Sequence, residues 1–241
     1  MSCQSHVYVV AGASRGIGLQ FVTSLLARGE IVVAIARNPD KAEWLHKLAK
    51  DGKNDKKLFI VKGDVADAVS IEVAAKETAK RIPGGYVDVL INNAVYADST
   101  TQGHTLISYP STDLLISNFT QAFQTNVLGP IVTTNAFIPL LRKGSLKKVF
   151  TINSGLADVQ LSLKGEIPTF TPYCVTKSAL EMTNVKYADE GFTFLDIAPG
   201  VVHTSATNLS SPNEEEMSVI MKAAASFKKA YPDWNSLVVK L

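Results

Sequence analysis

His6-Val-Tyr-Val-Val-Ala-Gly-Ala-Ser-Arg-Gly-Ile-Gly18 is the stretch whose reading decides the fold. Residues 6–10 form a short apolar run that reads as a strand buried on both faces, and Leu19 to Arg28 is amphipathic with helical spacing. A glycine turn joins the two. Gly12, Gly16 and Gly18 lack a Cβ, so the backbone can turn tightly, let a pyrophosphate approach the helix N-terminus and let that helix pack closely on the strand. Ser14, Arg15 and Ile17 complete the turn and are candidate coenzyme contacts. The spacing is Gly-x-x-x-Gly-x-Gly, not the commoner Gly-x-Gly-x-x-Gly, and a glycine-rich turn with no ligand is the competing reading.

Beyond this unit, apolar strands alternate with helical stretches. Strands are predicted over Ile31 to Ala36, Leu58 to Val61, Val87 to Ile91, Lys148 to Ile152 and Phe192 to Ile197, with helices near 40–50, 68–81, 111–141 and 173–188. Such a rhythm implies an α/β fold: a single-domain, Rossmann-type, doubly wound parallel sheet with helices on both faces. Residues 1–241 then form one domain, with a dinucleotide-binding half over about 1–145 and a second half over about 146–241. Right-handed crossovers bring every strand's carboxyl end to one edge, where ligands bind. The glycine turn, Asp64, Asn92, Ser154 and Pro199 each fall just after a predicted strand.

A second stretch, Tyr173-Cys-Val-Thr-Lys177, sets a phenol and an ammonium four residues apart on one helix face. Free tyrosine titrates near ~10, so bringing it to neutrality takes roughly 4 kcal/mol of preferential phenolate stabilisation. A nearby lysine supplies part of that, and the pair is expected to lower the tyrosine pKa. Alone, the same spacing fits a half-buried ring beside a solvated amine.

Together the two stretches resemble the short-chain dehydrogenase/reductase family, and the likeness runs through most of the chain. Gly12, Gly16 and Gly18 match its coenzyme turn, with Ala11 where threonine is usual. Asn92-Asn93-Ala94 matches its motif after the fourth strand, with Val95 in place of glycine. Asn126 in Asn-Val-Leu-Gly matches the helix asparagine, Ser154 the catalytic serine, and Tyr173 and Lys177 complete the tetrad. Pro199-Gly200, Val202 and Thr204 match the segment that holds the nicotinamide. Within the family, Leu-Ile-Asn-Asn-Ala, Thr-Asn-Val-Leu-Gly-Pro and the long serine-to-tyrosine loop are most similar to small carbonyl reductases related to the Sniffer and C-factor proteins.

The resemblance implies an oxidoreductase that interconverts a ketone or aldehyde with an alcohol. Tyr173 would be the general acid/base, Lys177 would bond the nicotinamide ribose and favour the phenolate, Ser154 would bond the substrate oxygen, and Asn126 would anchor a water leading from Lys177 to solvent. Asp64 and Val65 would contact the adenine, although an aspartate after a strand also suits a turn. At the end of the second strand, Ala36-Arg37 replaces the acidic residue that binds a ribose 2′-hydroxyl in NAD sites. Arg37 and Arg15 would instead pair with a 2′-phosphate, which favours NADP(H) over NAD(H). Asn38-Pro39 reads as the cap and first turn of the next helix.

Composition excludes other classes. Lys+Arg 24 against Asp+Glu 22 leaves +2, which gives no general attraction to nucleic acid. No apolar run reaches the ~18 residues of a membrane span, and no signal-peptide core opens the chain, so a cytoplasmic enzyme with a small-molecule partner is expected. Cys3 and Cys174 are read as reduced thiols, and no His/Cys cluster suggests a metal. Glu214 to Ala230 alternates charged and apolar residues at helical spacing, and the resemblance implies that it is the lid over the substrate; Met217, Ile220, Met221 and Phe227 are expected to face the core, with a substrate groove as the other reading. Three departures stand out: Asn153 before Ser154 with a long following loop, a short interval between Lys177 and Pro199, and no recognisable last strand. The last two argue against a family-type homo-oligomer and leave six strands with an exposed edge. They also keep open a catalytically weak NADP(H)-binding regulatory protein on the same scaffold.

Overall fold

A computed structural model of the chain describes residues 5–54, 56–187 and 191–200, together with 202, 221, 225 and 228. Among these, six strands form one wholly parallel sheet: β1 (Val7–Ala11), β2 (Ile31–Ala36), β3 (Leu58–Lys62), β4 (Val89–Asn92), β5 (Lys148–Ile152) and β6 (Thr193–Ile197). Their order is β3-β2-β1-β4-β5-β6. The order reverses between β1 and β4, which opens a crevice at the strand carboxyl ends there. The fold is the α/β arrangement that the alternation implied.

Strand side chains alternate between two cores. Val7, Val9, Leu90 and Val149 pack with Ile71 of α3 (Ala68–Arg81) and Phe137 of α5 (Gly129–Leu141). Val10, Val32, Ala34 and Ile91 pack with Val22, Leu25 and Leu26 of α1 (Gly16–Ala27) and Leu45 of α2 (Glu43–Lys50). Burial on both faces is why the inner strands are nearly continuous apolar runs. The outer strand β6 differs, with Thr193 and Leu195 exposed.

The predicted elements recur with small shifts. A 3-10 turn over Pro39–Lys41 precedes α2, and the Asn38 side chain makes no capping bond there. The long helix predicted over 111–141 is divided into α4 (Thr112–Phe123), a π-turn at Gln124–Leu128, and α5. Pro130 has no N–H to give to the Asn126 carbonyl four residues back, so the α-helical ladder is interrupted where Asn126 sits. The serine-to-tyrosine loop holds a short helix, α6 (Val159–Lys164), whose N-terminus Asp158 caps by accepting the Gln160 N–H at 2.7 Å. Then α7 (Thr171–Val185) begins after Phe170, whose backbone is left-handed at φ 58.

At the opposite edge from the crevice, buried Asp88 ties three segments together. It accepts the Val7 N–H at 2.8 Å, the Ser145 N–H at 2.7 Å and the Ser145 hydroxyl at 2.9 Å. Burial pushes its pKa up, but these hydrogen bonds more than offset that and hold it below the usual carboxylate range. The predicted helix at Glu214 to Ala230 lies mostly outside the described residues; of its stripe, Met221 is 62% exposed, contrary to a core-facing position.

Candidate active site

The glycine turn is interlocked with the loop after β4. Gly12 is left-handed at φ 83, and a Cβ there would lie 2.8 Å from both the Ala94 Cα and its N. A Cβ on Gly18 would press on the Gly12 carbonyl oxygen and lie 2.5 Å from Asn93 Nδ2, which donates to that same carbonyl at 2.8 Å. Backbone thus meets backbone where any side chain would intervene. Gly16 opens α1 with φ 57, and the first turn carries no acidic residue, so the helix N-terminus faces the crevice with its positive dipole end unopposed. Arg15 at the N-cap and Arg37 after β2 are both exposed, and Ser14 lies partly buried between them and the turn.

Asp64 serves its own loop, accepting the Ala66 N–H at 3.0 Å while its N–H donates to the Ser70 hydroxyl. Val65 is buried against Gly129. Asn92 is buried on β4 and donates to Thr134 Oγ1 at 3.1 Å.

The predicted tetrad converges on one side of the crevice. Lys177, only 3% exposed, donates from Nζ to the Ile152 carbonyl at 2.6 Å and lies 5.7 Å from the Tyr173 ring centre. Burial lowers its pKa to about 8, partly countered by Asp196. Ser154 caps the following 3-10 turn by accepting the Leu156 N–H and also hydrogen-bonds the Tyr173 phenol. Burial raises the Tyr173 pKa despite that bond, which corrects the expectation of a lowered one. The reason is geometric: the ammonium is turned to the Ile152 carbonyl, so desolvation of the phenol dominates.

Asn126 is fully buried and its side chain is committed. Its Oδ1 accepts the Tyr96 N–H at 2.7 Å, and Nδ2 donates to the Tyr96 carbonyl at 2.9 Å and to Thr176 Oγ1 at 3.1 Å. The side chain thus clamps the loop after β4 to α7, and of Asn126 only the backbone carbonyl, which receives no N–H from Pro130, is left to hold the expected water. Thr176, inside the pentapeptide itself, was not singled out from sequence; its position one residue before Lys177 is the only clue.

Between these two walls lies an open cleft of ≈ 190 Å³. Tyr173, Lys177, Ser154 and Asn153 line one side and Ile17, Asn93 and Val95 the other, with Ile152, Pro199, Gly200 and Val202 below. Val95, Ile152 and Asn153 are added to the predicted set. Thr204 lies outside the described residues. No group of three or more His, Cys, Asp or Glu among the described residues could hold a metal ion, and no helix of theirs is long and apolar enough to cross a membrane.

The Lys177 environment gives a pH signature. In the unfolded chain lysine titrates near ~10.4, so between pH 8 and that value the unfolded state binds more protons and stability rises with pH. The cost of the buried ammonium is fully present below pH 8. Urea midpoints at pH 7 and pH 10 should therefore show the wild type gaining on Lys177→Met as pH rises; parallel behaviour of the two would contradict this placement of the ammonium.

Comparison with known proteins agrees with the fold. The family model for short chain dehydrogenase matches residues 6–215. A short-chain dehydrogenase/reductase of Aspergillus aculeatus, AacuF, is 34% identical over 233 residues, covering 95% of this chain and 85% of that one. An uncharacterized oxidoreductase of Schizosaccharomyces pombe is also 34% identical, over 100% of this chain and 93% of its own. Among solved structures, an NADPH-bound carbonyl reductase from chicken fatty liver superposes with a TM-score of 0.72 at 29% identity, covering 84% of this chain and 82% of that one. The putative carbonyl reductase Sniffer of Caenorhabditis elegans shares the fold, with a TM-score of 0.67 at 23% identity over 82% of this chain and 86% of its own. With its glycine turn, Asn-Asn-Ala loop and Tyr-Lys helix assembled around one cleft, the chain belongs to the short-chain dehydrogenase/reductase family of oxidoreductases.

Proposed function

We propose that this protein is an NADP(H)-dependent carbonyl reductase, interconverting a small or medium ketone or aldehyde with its alcohol. The observation that carries the reading is a single cleft lined by Tyr173, Ser154 and Lys177 together with Ile17 of the glycine turn and Asn93 of the loop after β4. The residues present fit a dinucleotide: Gly12 and Gly18 leave no room for a Cβ, and the α1 N-terminus faces the crevice.

When bound, the coenzyme supplies hydride to the carbonyl carbon. Tyr173, whose raised pKa keeps it protonated near neutral pH, gives its proton to the carbonyl oxygen, and Ser154 holds that oxygen in line with the phenol. Lys177 stands where it can bond the nicotinamide ribose, and a turn of its ammonium from the Ile152 carbonyl toward the ring, 5.7 Å away, would offset the phenolate that remains. Asn126 acts at one remove by fixing the loop that carries Val95 and Tyr96. Ile17, Val95, Ile152 and Val202 give the reacting centre an apolar surround.

Arg15 and Arg37 favour the 2′-phosphate. Both are exposed on the coenzyme side and neither carboxylate nor cap competes for them among the described residues. Solved relatives with NADP bound, including a carbonyl reductase of Pseudomonas aeruginosa at 28% identity and a TM-score of 0.68 over 94% of this chain and 93% of that one, support this preference. Arg15→Ala combined with Arg37→Ala should weaken NADPH binding by roughly 10²- to 10⁴-fold and leave NADH binding within twofold, since charge-assisted bonds to a phosphate are worth about 1.5–3 kcal/mol each and every ~1.4 kcal/mol is tenfold. Titration of coenzyme fluorescence measures both; an equal loss for the two coenzymes would sink the assignment.

A further inference from the structure

The helix that carries Tyr173 and Lys177 covers a polar row on the sheet. Asn92 is paired in register with Thr151, and Thr151 with Asp196, so these three side chains stand abreast on β4, β5 and β6. They share the face of Val149 and Phe194, which belong to the core on the α5 side of the sheet. Asp196 is the one carboxylate in the row. Asn184, two helical turns beyond Lys177 on the same face of α7, donates to its Oδ1 at 2.6 Å. The next strand position after Thr151 is Ile152, whose carbonyl receives the Lys177 ammonium. Asn92 Oδ1 and Thr151 Oγ1 are buried with no hydrogen-bond partner among the described residues, which leaves the row polar and unfilled by apolar groups.

We propose that Asp196, half-buried and oriented by Asn184, is the counter-charge that keeps the Lys177 ammonium protonated, and so is a positioning residue for the acid end of the site. The inference rests on the role given to Lys177 above and deepens it. A nearly inaccessible ammonium with one carbonyl partner is costly unless an opposite charge lies close in the same low-dielectric layer. Asp196 supplies that charge: of the charged groups around Lys177 it is the one that raises the lysine pKa against the dominant lowering by burial. In return, burial raises the Asp196 pKa, while Asn184 and Lys177 lower it and Glu181 raises it. Tyr173 is the other titratable group beside the ammonium, on its own helix. The facing row positions on β4 and β5, Asn92 and Thr151, and α5 residues Thr133 and Thr134 carry no charge.

The test is the Lys177 titration itself, read by NMR on the full chain carrying lysine labelled with 13C at Cε and assigned with Lys177→Met. Asp196→Asn keeps the shape and an acceptor for Asn184 but removes the charge. It should move the Lys177 midpoint down by roughly half a unit or more, with Asp196→Glu restoring it. Asn184→Ala, which removes the donor and leaves the carboxylate, should move it in the same direction by less, and stands in should Asp196→Asn fail to fold. An unmoved midpoint in whichever of these variants folds overturns the proposal. The NMR result does not depend on turnover, so it is separate from the function proposed above. With NADPH and a reducible carbonyl, the pH profile of kcat should shift toward acid by the same amount while the NADPH Kd stays within twofold; a loss of thermal stability with an unshifted profile would mean a merely structural acid.

Discussion

Tyr173→Phe is expected to lower kcat by about 10³-fold while leaving the NADPH Kd within twofold of wild type. A positioned general acid contributes roughly 10²–10⁴ in rate, and phenylalanine deletes only the hydroxyl that would carry the proton. The ring lies within the α7 face, and its packing against the Lys177 side is retained by phenylalanine. Phenylalanine leaves the glycine turn, whose Ile17 lines the cleft, and the exposed Arg15 and Arg37 untouched, so binding should survive. Ser154→Ala should fall between the two, because the substrate would lose one partner while the phenol kept its proton. Rate constants from NADPH absorbance, alongside the coenzyme titration, separate chemistry from binding. Retention of full activity in Tyr173→Phe would remove this residue from the reaction.

The second large effect should come from Gly18→Ala. One methyl group there presses on the Gly12 carbonyl and on Asn93 Nδ2 together. Neither is a flexible end: the first is backbone, and the second is held to the first by its own hydrogen bond. Relief requires α1 to move off the sheet, or Asn93 to leave the Gly12 carbonyl. Overpacking of this kind costs about 1–3 kcal/mol, and a lost buried hydrogen bond about 1–3 more. For a domain of this size each kcal/mol lowers Tm by about 2–4 °C, so a fall of roughly 5–15 °C is expected together with loss of coenzyme binding. Gly52→Ala is the matching control, because a Cβ there meets nothing within 4 Å. Its Tm should stay within about 2 °C. Equal melting curves for Gly18→Ala and Gly52→Ala would contradict the interlocked turn.

What the sequence made legible follows from what burial does to composition. Strands β1 and β2 are enclosed on both faces, so they are unbroken apolar runs and their register with the glycine turn could be read directly. The candidate residues that line the cleft, Asn93, Ser154, Tyr173, Lys177 and Pro199 among them, were legible because they sit just beyond such a strand or on one helix face. Short or interrupted elements left no such mark. Val159-Gln-Leu-Ser-Leu-Lys164 is too brief to establish a helical period, and the π-turn at 124–128 keeps its apolar spacing while its hydrogen bonds change partner.

Electrostatics was the least readable layer. Spacing puts Tyr173 and Lys177 on the same face but says nothing of the Ile152 carbonyl that draws the ammonium away, nor of the burial that raises the phenol pKa. Asn126 was picked out as a site residue, yet its side-chain partners are the backbone of Tyr96 and the hydroxyl of Thr176, contacts set by tertiary packing alone. Asp196 lies within a strand whose neighbours are apolar, and only the β4-β5-β6 register brings it abreast of Thr151 and Asn92.

Steady-state oxidation of NADPH by the wild-type protein against a panel of ketones and aldehydes, with Tyr173→Phe as the blank, tests the central claim most directly. The account expects coenzyme consumption matched mole for mole by alcohol formed with at least one carbonyl, and none above background in the variant. Tight NADPH binding with no turnover on any carbonyl would contradict it and would favour a nucleotide-binding regulator on the same scaffold.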